Sequence, residues 1–209
     1  MSVPQLVRLS GAANVLGGLA LALFVVEHPW GRFDGAEVAR TTAWSIAHGL
    51  HFLGATLVLV GLVGLYLWQA PRLGRLGLAG FVVAFVGTAM FVGTGMITVF
   101  VWPMVAREAP QAVALGGAMF DRPSLVALGL TAVTVTVGYV LFGLTMLRAG
   151  LAPRWMTVVW VVGAVTGMIP PQPLGPLPWA GLVLGGVLFG AGAALLGYTV
   201  WSRGGRGVS

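Results

Sequence analysis

Three histidines and the carboxylates near them are the residues of this chain best suited to chemistry. His48 and His51 stand three residues apart, so a helix would present both rings on one face. Trp44 lies four residues before His48 on the same stripe, and a rise of ~1.5 Å per residue puts His51 ~10 Å below that tryptophan. Glu27 and His28 end the preceding apolar stretch. We therefore predict that the histidines gather near one end of two neighbouring helices.

Imidazoles with carboxylates in reach are typical ligands of a divalent transition metal such as zinc, copper or iron. A histidine pair on facing helices could instead hold haem, and His28 with His48 or His51 would form that pair. A polar pocket for another small ligand is an equally open interpretation, and so is plain hydrogen bonding between helices. The spacing His-x-x-His lacks the glutamate of a zinc-protease motif, so the pattern does not choose among these chemistries.

Threonines extend the same region of the chain. Thr94 and Thr98 lie close to one stripe of the third apolar stretch, although threonines in such helices often bond their own backbone carbonyls. The loop residues Asp34 and Glu37 would lie on the solvent side of the histidines. The predicted ligand-binding residues are Glu27, His28, His48, His51, Thr94 and Thr98, and the predicted metal ligands are His28, His48 and His51. No catalytic residue can be assigned, so whether the chain is an enzyme stays open.

The composition indicates a membrane protein. Hydrophobic residues make up 58% of the 209 residues and charged residues 8%, whereas a soluble domain usually has about 25% charged residues. The mean hydropathy of +0.97 agrees. The chain has neither cysteine nor lysine, which excludes thiol chemistry and a pigment bound through a Schiff base.

Six apolar stretches are long enough, or nearly so, to cross a hydrocarbon core of ~30 Å, which takes ~20 helical residues. We predict spans at 9–26, 43–68, 78–105, 124–147, 155–169 and 179–201. Glycine, proline and arginine fill the connections between them. The expected fold is all-α: a single domain over residues 1–209, built as an integral membrane bundle of six transmembrane helices.

The arginines orient this predicted bundle. Seven fall on one side of it: Arg8, Arg72, Arg75, Arg148, Arg154, Arg203 and Arg206. The other side holds the remaining four arginines together with all five acidic residues and the three histidines. The positive-inside rule therefore predicts that the N-terminus and the C-terminus are both cytoplasmic. We expect the chain to lie in the inner (plasma) membrane of a bacterium.

The expected partner of such a chain is the lipid bilayer. Its basic residues are dispersed, so no nucleic-acid-binding face is predicted. Glycines at four-residue spacing, such as Gly163 with Gly167 and Gly181 with Gly185, predict close packing of the fifth and sixth spans. That packing would serve a homo-oligomer or a larger membrane complex, or it would lie within the chain. The alternative functions are a small-solute transporter or channel and a structural subunit of a larger complex.

The region 44–106 has a recognisable pattern. It combines a Trp-x-x-x-His helix, Gly-Leu-Val-Gly-Leu-Tyr, an arginine turn, Gly-Leu-Ala-Gly-Phe and Phe-Val-Trp-Pro, and Ala-Pro-Arg-Trp follows at 152–155. These features resemble a broad group of uncharacterised small multi-pass membrane proteins of bacteria. The resemblance implies the membrane fold and implies no activity.

Overall fold

The structure, a computed structural model, describes residues 2–29, 35–114, 117–168 and 178–203. Every regular element in these ranges is helical and none is a strand, which confirms the all-α prediction. The helices are α1 (Val3–Glu27), α2 (Gly35–Ala39), α3 (Thr42–Met96), α4 (Trp102–Glu108), α5 (Pro110–Val113), α6 (Arg122–Ala149), α7 (Arg154–Gly167) and α8 (Pro178–Arg203). A π-helical segment, Ile97–Val101, joins α3 to α4, and a 3-10 turn, Ala118–Phe120, precedes α6.

Four helical stretches in the described ranges are long and apolar enough to cross a membrane: Val3–Glu27, Thr42–Glu108, Arg122–Ala149 and Trp179–Arg203. Two features explain why this number is smaller than the six predicted spans. The second stretch is one run of 67 residues that covers two predicted spans. α7 has only 14 residues, or ~21 Å of helix, which is less than the ~30 Å of a hydrocarbon core. The helices support a membrane protein, and the number six stays a prediction.

Capping residues explain where the long helices begin and end. At the start of α3, the hydroxyl oxygen of Thr41 accepts a hydrogen bond from the backbone N–H of Trp44 at 3.1 Å. At the start of α6, the Asp121 carboxylate accepts from the backbone N–H of Ser124 at the same distance. Gly150 ends α6 in the left-handed conformation, with φ 68°. These caps extend α6 two residues beyond each end of its predicted span.

Gly74 divides α3 into a first arm, 42–73, and a second arm, 75–96. Its backbone has φ 62° and ψ −167°, a conformation that is essentially limited to glycine. The connection predicted between the spans at 43–68 and 78–105 is therefore a single-residue break inside a long helix.

The two arms lie side by side and run in opposite directions. Near Gly74, Tyr66 stacks on Phe81 with ring centroids 4.5 Å apart. Farther from it, Gly95 approaches the backbone of Phe52 so closely that a side chain at Gly95 would be crowded. Because residues on the two sides of Gly74 contact each other both near the break and far from it, the second arm runs back along the first arm.

The helices close into a ring. α1 packs between the first arm of α3 and α8, the second arm packs against α6, and α7 joins α6 to α8. The backbones of α1 and α8 approach each other closely, since a Cβ on Gly18 would collide with Gly190 and Ala194. Asn14 adds a polar contact there, because its Nδ2 donates to the Ala193 carbonyl at 2.9 Å. Six helical segments, counting both arms, therefore surround a common centre.

The glycines of α7 and α8 pack mainly within the chain. Gly163 lies against the backbone of Phe189, and Gly185 lies against Thr166 and Gly167. Gly181 differs, because a Cβ there would meet nothing within 4 Å among the described residues. The four-residue spacing is thus used for intrachain packing, and assembly of copies or partners through these helices stays a prediction.

The two ends of the ring differ in charge. We call the end at which α1 stops and α3 and α6 begin the histidine end, and the end that holds Gly74 the arginine end. Six described arginines lie at or toward the arginine end: Arg8, Arg72, Arg75, Arg148, Arg154 and Arg203. The main hydrophobic core, which includes Leu62, Leu65, Phe142 and Met146, fills the ring toward that end.

Candidate ligand-binding site

The structure brings the three histidines together at the histidine end. His28 follows the last residue of α1, and His48 and His51 lie on the first arm of α3. The ring centroids of His28 and His48 are 5.0 Å apart, and those of His48 and His51 are 6.4 Å apart. Three aromatic side chains complete the group that we call the histidine cluster: His28, His48, His51, Phe24, Trp44 and Phe91.

His51 is buried between two phenylalanines. Its ring stacks on Phe24 with centroids 4.7 Å apart and planes 19° from parallel, and its centroid lies 4.2 Å from that of Phe91. The backbone carbonyl of Phe91 approaches the ring. Neither ring nitrogen, however, has hydrogen-bond geometry to a described residue. Because a buried polar atom without a partner is costly, His51 carries unused hydrogen-bonding capacity inside the protein.

His48 is oriented by Trp44. Its Nδ1 lies 3.1 Å from the backbone carbonyl oxygen of Trp44, and the two rings stack with centroids 3.8 Å apart. Because a carbonyl oxygen only accepts, this contact assigns the proton to Nδ1 and leaves Nε2 as an acceptor.

Trp44 also connects the histidine cluster to the π-helical segment. Its indole N–H donates to the backbone carbonyl of Thr98 at 2.8 Å. That carbonyl lacks a helical donor, because the N–H of Trp102 bonds to Ile97, five residues earlier, and Pro103 has no N–H. Thr98 therefore contributes its backbone carbonyl to this region, as the acceptor for Trp44.

The hydroxyls of the two predicted threonines bond to their own helix. The Thr98 hydroxyl contacts the carbonyls of Thr94 and Gly95 at 2.9 and 3.0 Å, and the Thr94 hydroxyl donates to Phe91 at 2.7 Å. Of the two, Thr94 lines the cavity described below, and Thr98 is not part of its described lining.

The predicted carboxylates lie apart from the rings. Glu27 and Glu37 are exposed and take no part in the ring contacts of the histidine cluster. Asp34 lies outside the described residues. Within the described ranges, no group of three or more His, Cys, Asp or Glu side chains could hold a metal ion. The metal site predicted at the three histidines therefore stays a prediction without a supporting arrangement.

His28 lies one residue beyond α1, in aromatic surroundings. Its ring centroid is 5.6 Å from that of Phe24 and 5.7 Å from that of Trp44. Burial, and secondarily a charge on His48, lowers the pKa of His28 to about 3. His28 is thus neutral near pH 7.

Short helices cover the histidine end. The Arg40 guanidinium donates through Nε to the Ala106 carbonyl at 3.0 Å, and Nη2 donates to the same oxygen. Ala39, Ala106, Val113 and Trp44 bury a small apolar cluster beside this contact. α2, α4 and α5 therefore form a packed cover over the histidine cluster.

A cavity of about 260 Å³ lies next to the histidine cluster, inside the ring. All six helical segments contribute to its lining, among them Leu21, Val58, Phe91, Val135, Ala164 and Phe189. Phe24 and Phe91 both line the cavity and contact His51, whereas no histidine is part of the described lining. These two phenylalanines therefore stand between the imidazoles and the cavity.

The cavity is mostly apolar and has few polar groups. Four oxygen-bearing side chains are part of its described lining: Thr88, Thr94, Thr131 and Tyr139. The last of these is fully buried, and its hydroxyl lies 2.9 Å from the Thr88 hydroxyl. Such a lining is typical of a pocket for an apolar ligand that is oriented by a small number of polar contacts.

Sequence reasoning assigned Thr94 to a pocket but placed that pocket at the histidines, whereas this cavity lies beside them. The signal that could have found it is the spacing of Thr131, Val135 and Tyr139, three buried residues four apart on α6. That stripe indicates a buried helix face, but it does not indicate an empty space beside it.

No family model, no curated protein and no solved structure matches this chain.

Proposed function

We propose that this chain is an integral membrane protein that binds a small, largely apolar molecule inside the bilayer, in the cavity at the centre of its helical ring. The observation that carries the proposal is a space of about 260 Å³ lined by all six helical segments. Close-packed interiors contain few voids larger than a water molecule. An apolar cavity of ~150 Å³ already holds benzene, so this space suits a substituted ring or a short branched chain.

Six crossings are the topology that we propose around this cavity. The break at Gly74 supports it, because each arm of α3 exceeds the ~20 residues needed for a crossing. α7, which covers most of the predicted span at 155–169, would supply the fifth crossing. The concentration of arginine at one end supports a cytoplasmic location for both termini. The inner membrane of a bacterium is the location that the resemblance implies.

An organic ligand accounts for the site better than a metal or haem. The histidines are packed against aromatic rings, the nearby acids are exposed, and the cavity lies beyond Phe24 and Phe91. A bound metal needs several ligand atoms converging on one point. The role that remains for the histidine cluster is to close the cavity toward the histidine end.

Binding is favoured over passage through the protein. The described part of the ring between the cavity and the arginine end is filled by fully buried side chains such as Leu62, Leu65 and Phe142. A channel or transporter would need this core to open, whereas a binding site needs only an entrance from one side. We therefore propose a closed-ended site.

A substitution that fills the cavity tests the proposal. Ala132 lines the cavity, so Ala132→Leu adds bulk inside it, whereas the exposed Ala127 gives a matched control on the same helix, Ala127→Leu. We expect fluorinated benzenes to bind to the protein in lipid nanodiscs, as detected by fluorine NMR. Ala132→Leu should weaken that binding at least ten-fold and Ala127→Leu should leave it unchanged. Absence of binding by the wild type, or equal binding by both variants, would contradict the proposal.

A further inference from the structure

Each of the three threonines that line the cavity donates its hydroxyl proton to a backbone carbonyl. A threonine hydroxyl has one proton to donate and lone pairs with which to accept. Each of these hydroxyls lies 2.7 or 2.8 Å from a backbone carbonyl three or four residues earlier in its own helix. The pairs are Thr88 with Ala84, Thr94 with Phe91, and Thr131 with Ala127. Because a carbonyl cannot donate, the proton in each pair comes from the threonine.

These assignments also decide which hydroxyl group donates in the contact between Tyr139 and Thr88. Tyr139 and Thr88 are 2.9 Å apart, oxygen to oxygen, and either hydroxyl could be the donor on distance alone. The Thr88 proton is engaged with Ala84. Tyr139 therefore donates to Thr88, and the phenolic oxygen of Tyr139 keeps its lone pairs for another partner.

All four oxygen-bearing side chains of the described lining are thus hydrogen-bond acceptors with no proton left to offer. The buried indole N–H of Trp160, which has no partner among the described residues, is a donor near Tyr139 but is not part of that lining. An apolar ligand that brought only acceptors, such as a ketone or an ether, would leave its own oxygen unpaired in the cavity. A ligand that brought a donor would satisfy both sides.

We infer that the cavity selects apolar molecules that carry a hydroxyl group, namely alcohols and phenols, over the corresponding ethers and ketones. This inference rests on the proposed function, since it specifies the ligand class of the same cavity. Tyr139 is the main specificity residue, because it is fully buried and because its oxygen is held in place by the bond to Thr88.

A matched pair of ligands tests the selection. The probes are 4-(trifluoromethyl)phenol and 4-(trifluoromethyl)anisole, which differ by one methyl group on the oxygen. Binding to the protein in nanodiscs is measured by fluorine NMR, and each probe's partition into protein-free nanodiscs is subtracted. We expect the phenol to bind about five-fold more tightly than the ether, the size expected of one hydrogen bond.

Variants locate the selection in the cavity. Replacing its four oxygen-bearing side chains by apolar isosteres, as Thr88→Val, Thr94→Val, Thr131→Val and Tyr139→Phe together, should abolish the preference for the phenol. Thr145→Val is the control, because Thr145 is a buried threonine of α6 that also donates to its own helix, at 2.7 Å, and is not part of the described lining. If the fourfold variant does not fold, Tyr139→Phe alone should reduce the preference at least two-fold.

The outcomes separate this inference from the function on which it rests. Equal binding of the two probes by the wild type, or tighter binding of the ether, would overturn the selection for hydroxyl groups and leave the binding site in place. A preference that survives both Tyr139→Phe and the fourfold variant would overturn it as well. Failure of both probes to bind would overturn the binding site itself.

Discussion

Trp44 donates its indole N–H to the backbone carbonyl of Thr98 at 2.8 Å, and this bond ties the start of the first arm of α3 to the segment after the second arm. The carbonyl is available because Pro103 has no N–H to offer it. Trp44 also stacks on His48 and on Trp102. The same side chain therefore orients the histidine cluster and supplies the donor that the Thr98 carbonyl lacks within its own helix.

Removing this N–H, together with part of the stacked indole ring, should destabilise the protein. Trp44→Phe keeps an aromatic ring but leaves the Thr98 carbonyl without a donor, so we expect the free energy of unfolding to fall by about 1–2 kcal/mol. Trp155→Phe is the control, since Trp155 is 56% exposed. Circular dichroism during thermal unfolding in detergent measures both. A loss of equal size in the two variants would contradict a specific role for the Trp44 bond.

His51 and His48 should respond in opposite ways to the same substitution. His51→Phe replaces a ring whose nitrogens have no described partner, so the melting temperature should stay unchanged or rise. His48→Phe removes the contact between Nδ1 and the Trp44 carbonyl and should lower it. Melting temperatures in ligand-free detergent provide the comparison. A large loss of stability in His51→Phe would contradict the absence of a described partner for its ring nitrogens.

The contact between α1 and α8 should not tolerate a methyl group. In Gly18→Ala the new Cβ would collide with backbone atoms of Gly190 and Ala194, so the helices must separate. We expect a loss of about 1–3 kcal/mol, typical of overpacking. Gly129→Ala on α6, where a Cβ would meet nothing within 4 Å, should be neutral or stabilising. Similar melting temperatures for the two variants would show that α1 and α8 do not pack this closely.

Cysteine labelling should show that the two ends of the ring lie on opposite sides of the membrane. The chain has no native cysteine, so single substitutions report without background. Glu27→Cys and Glu108→Cys should react with a membrane-impermeant maleimide on one side of the membrane, and Arg75→Cys and Arg154→Cys on the other. The positive-inside rule puts the first pair outside the cytoplasm. Reaction of one residue from each pair on the same side would refute the six-crossing topology.

Helix positions were largely predictable because they depend on local features. The α6 prediction at 124–147 relied on an apolar run between Pro123 and Gly150, and the helix at Arg122–Ala149 differs only by its capping turns. The shared face of His48 and His51 also followed from spacing alone. That Gly74 alone interrupts α3 could not be predicted, because the flanking Pro71 and arginines indicate a loop as readily as they indicate a kink.

The cavity could not be predicted because it depends on packing among six segments. Phe24 and Phe91 are 67 positions apart, and nothing local to either shows that both reach His51 and the same space. Thr98 was predicted as a hydroxyl ligand, whereas its contribution is a carbonyl that is free because of the π-helical register. Side-chain patterns do not indicate such backbone roles.

Gly74 also bears on how the chain is made. A one-residue break leaves the two arms of α3 almost fully hydrogen-bonded within themselves, as a bilayer requires of helices that cross it, and the pair has the form of a helical hairpin. Arg72 and Arg75 stand on either side of the turn and would remain at the surface where the ribosome delivers the chain. We therefore expect the two arms to be inserted as a pair during synthesis, with His48 and His51 near the end of the first arm that is farthest from the turn at Gly74.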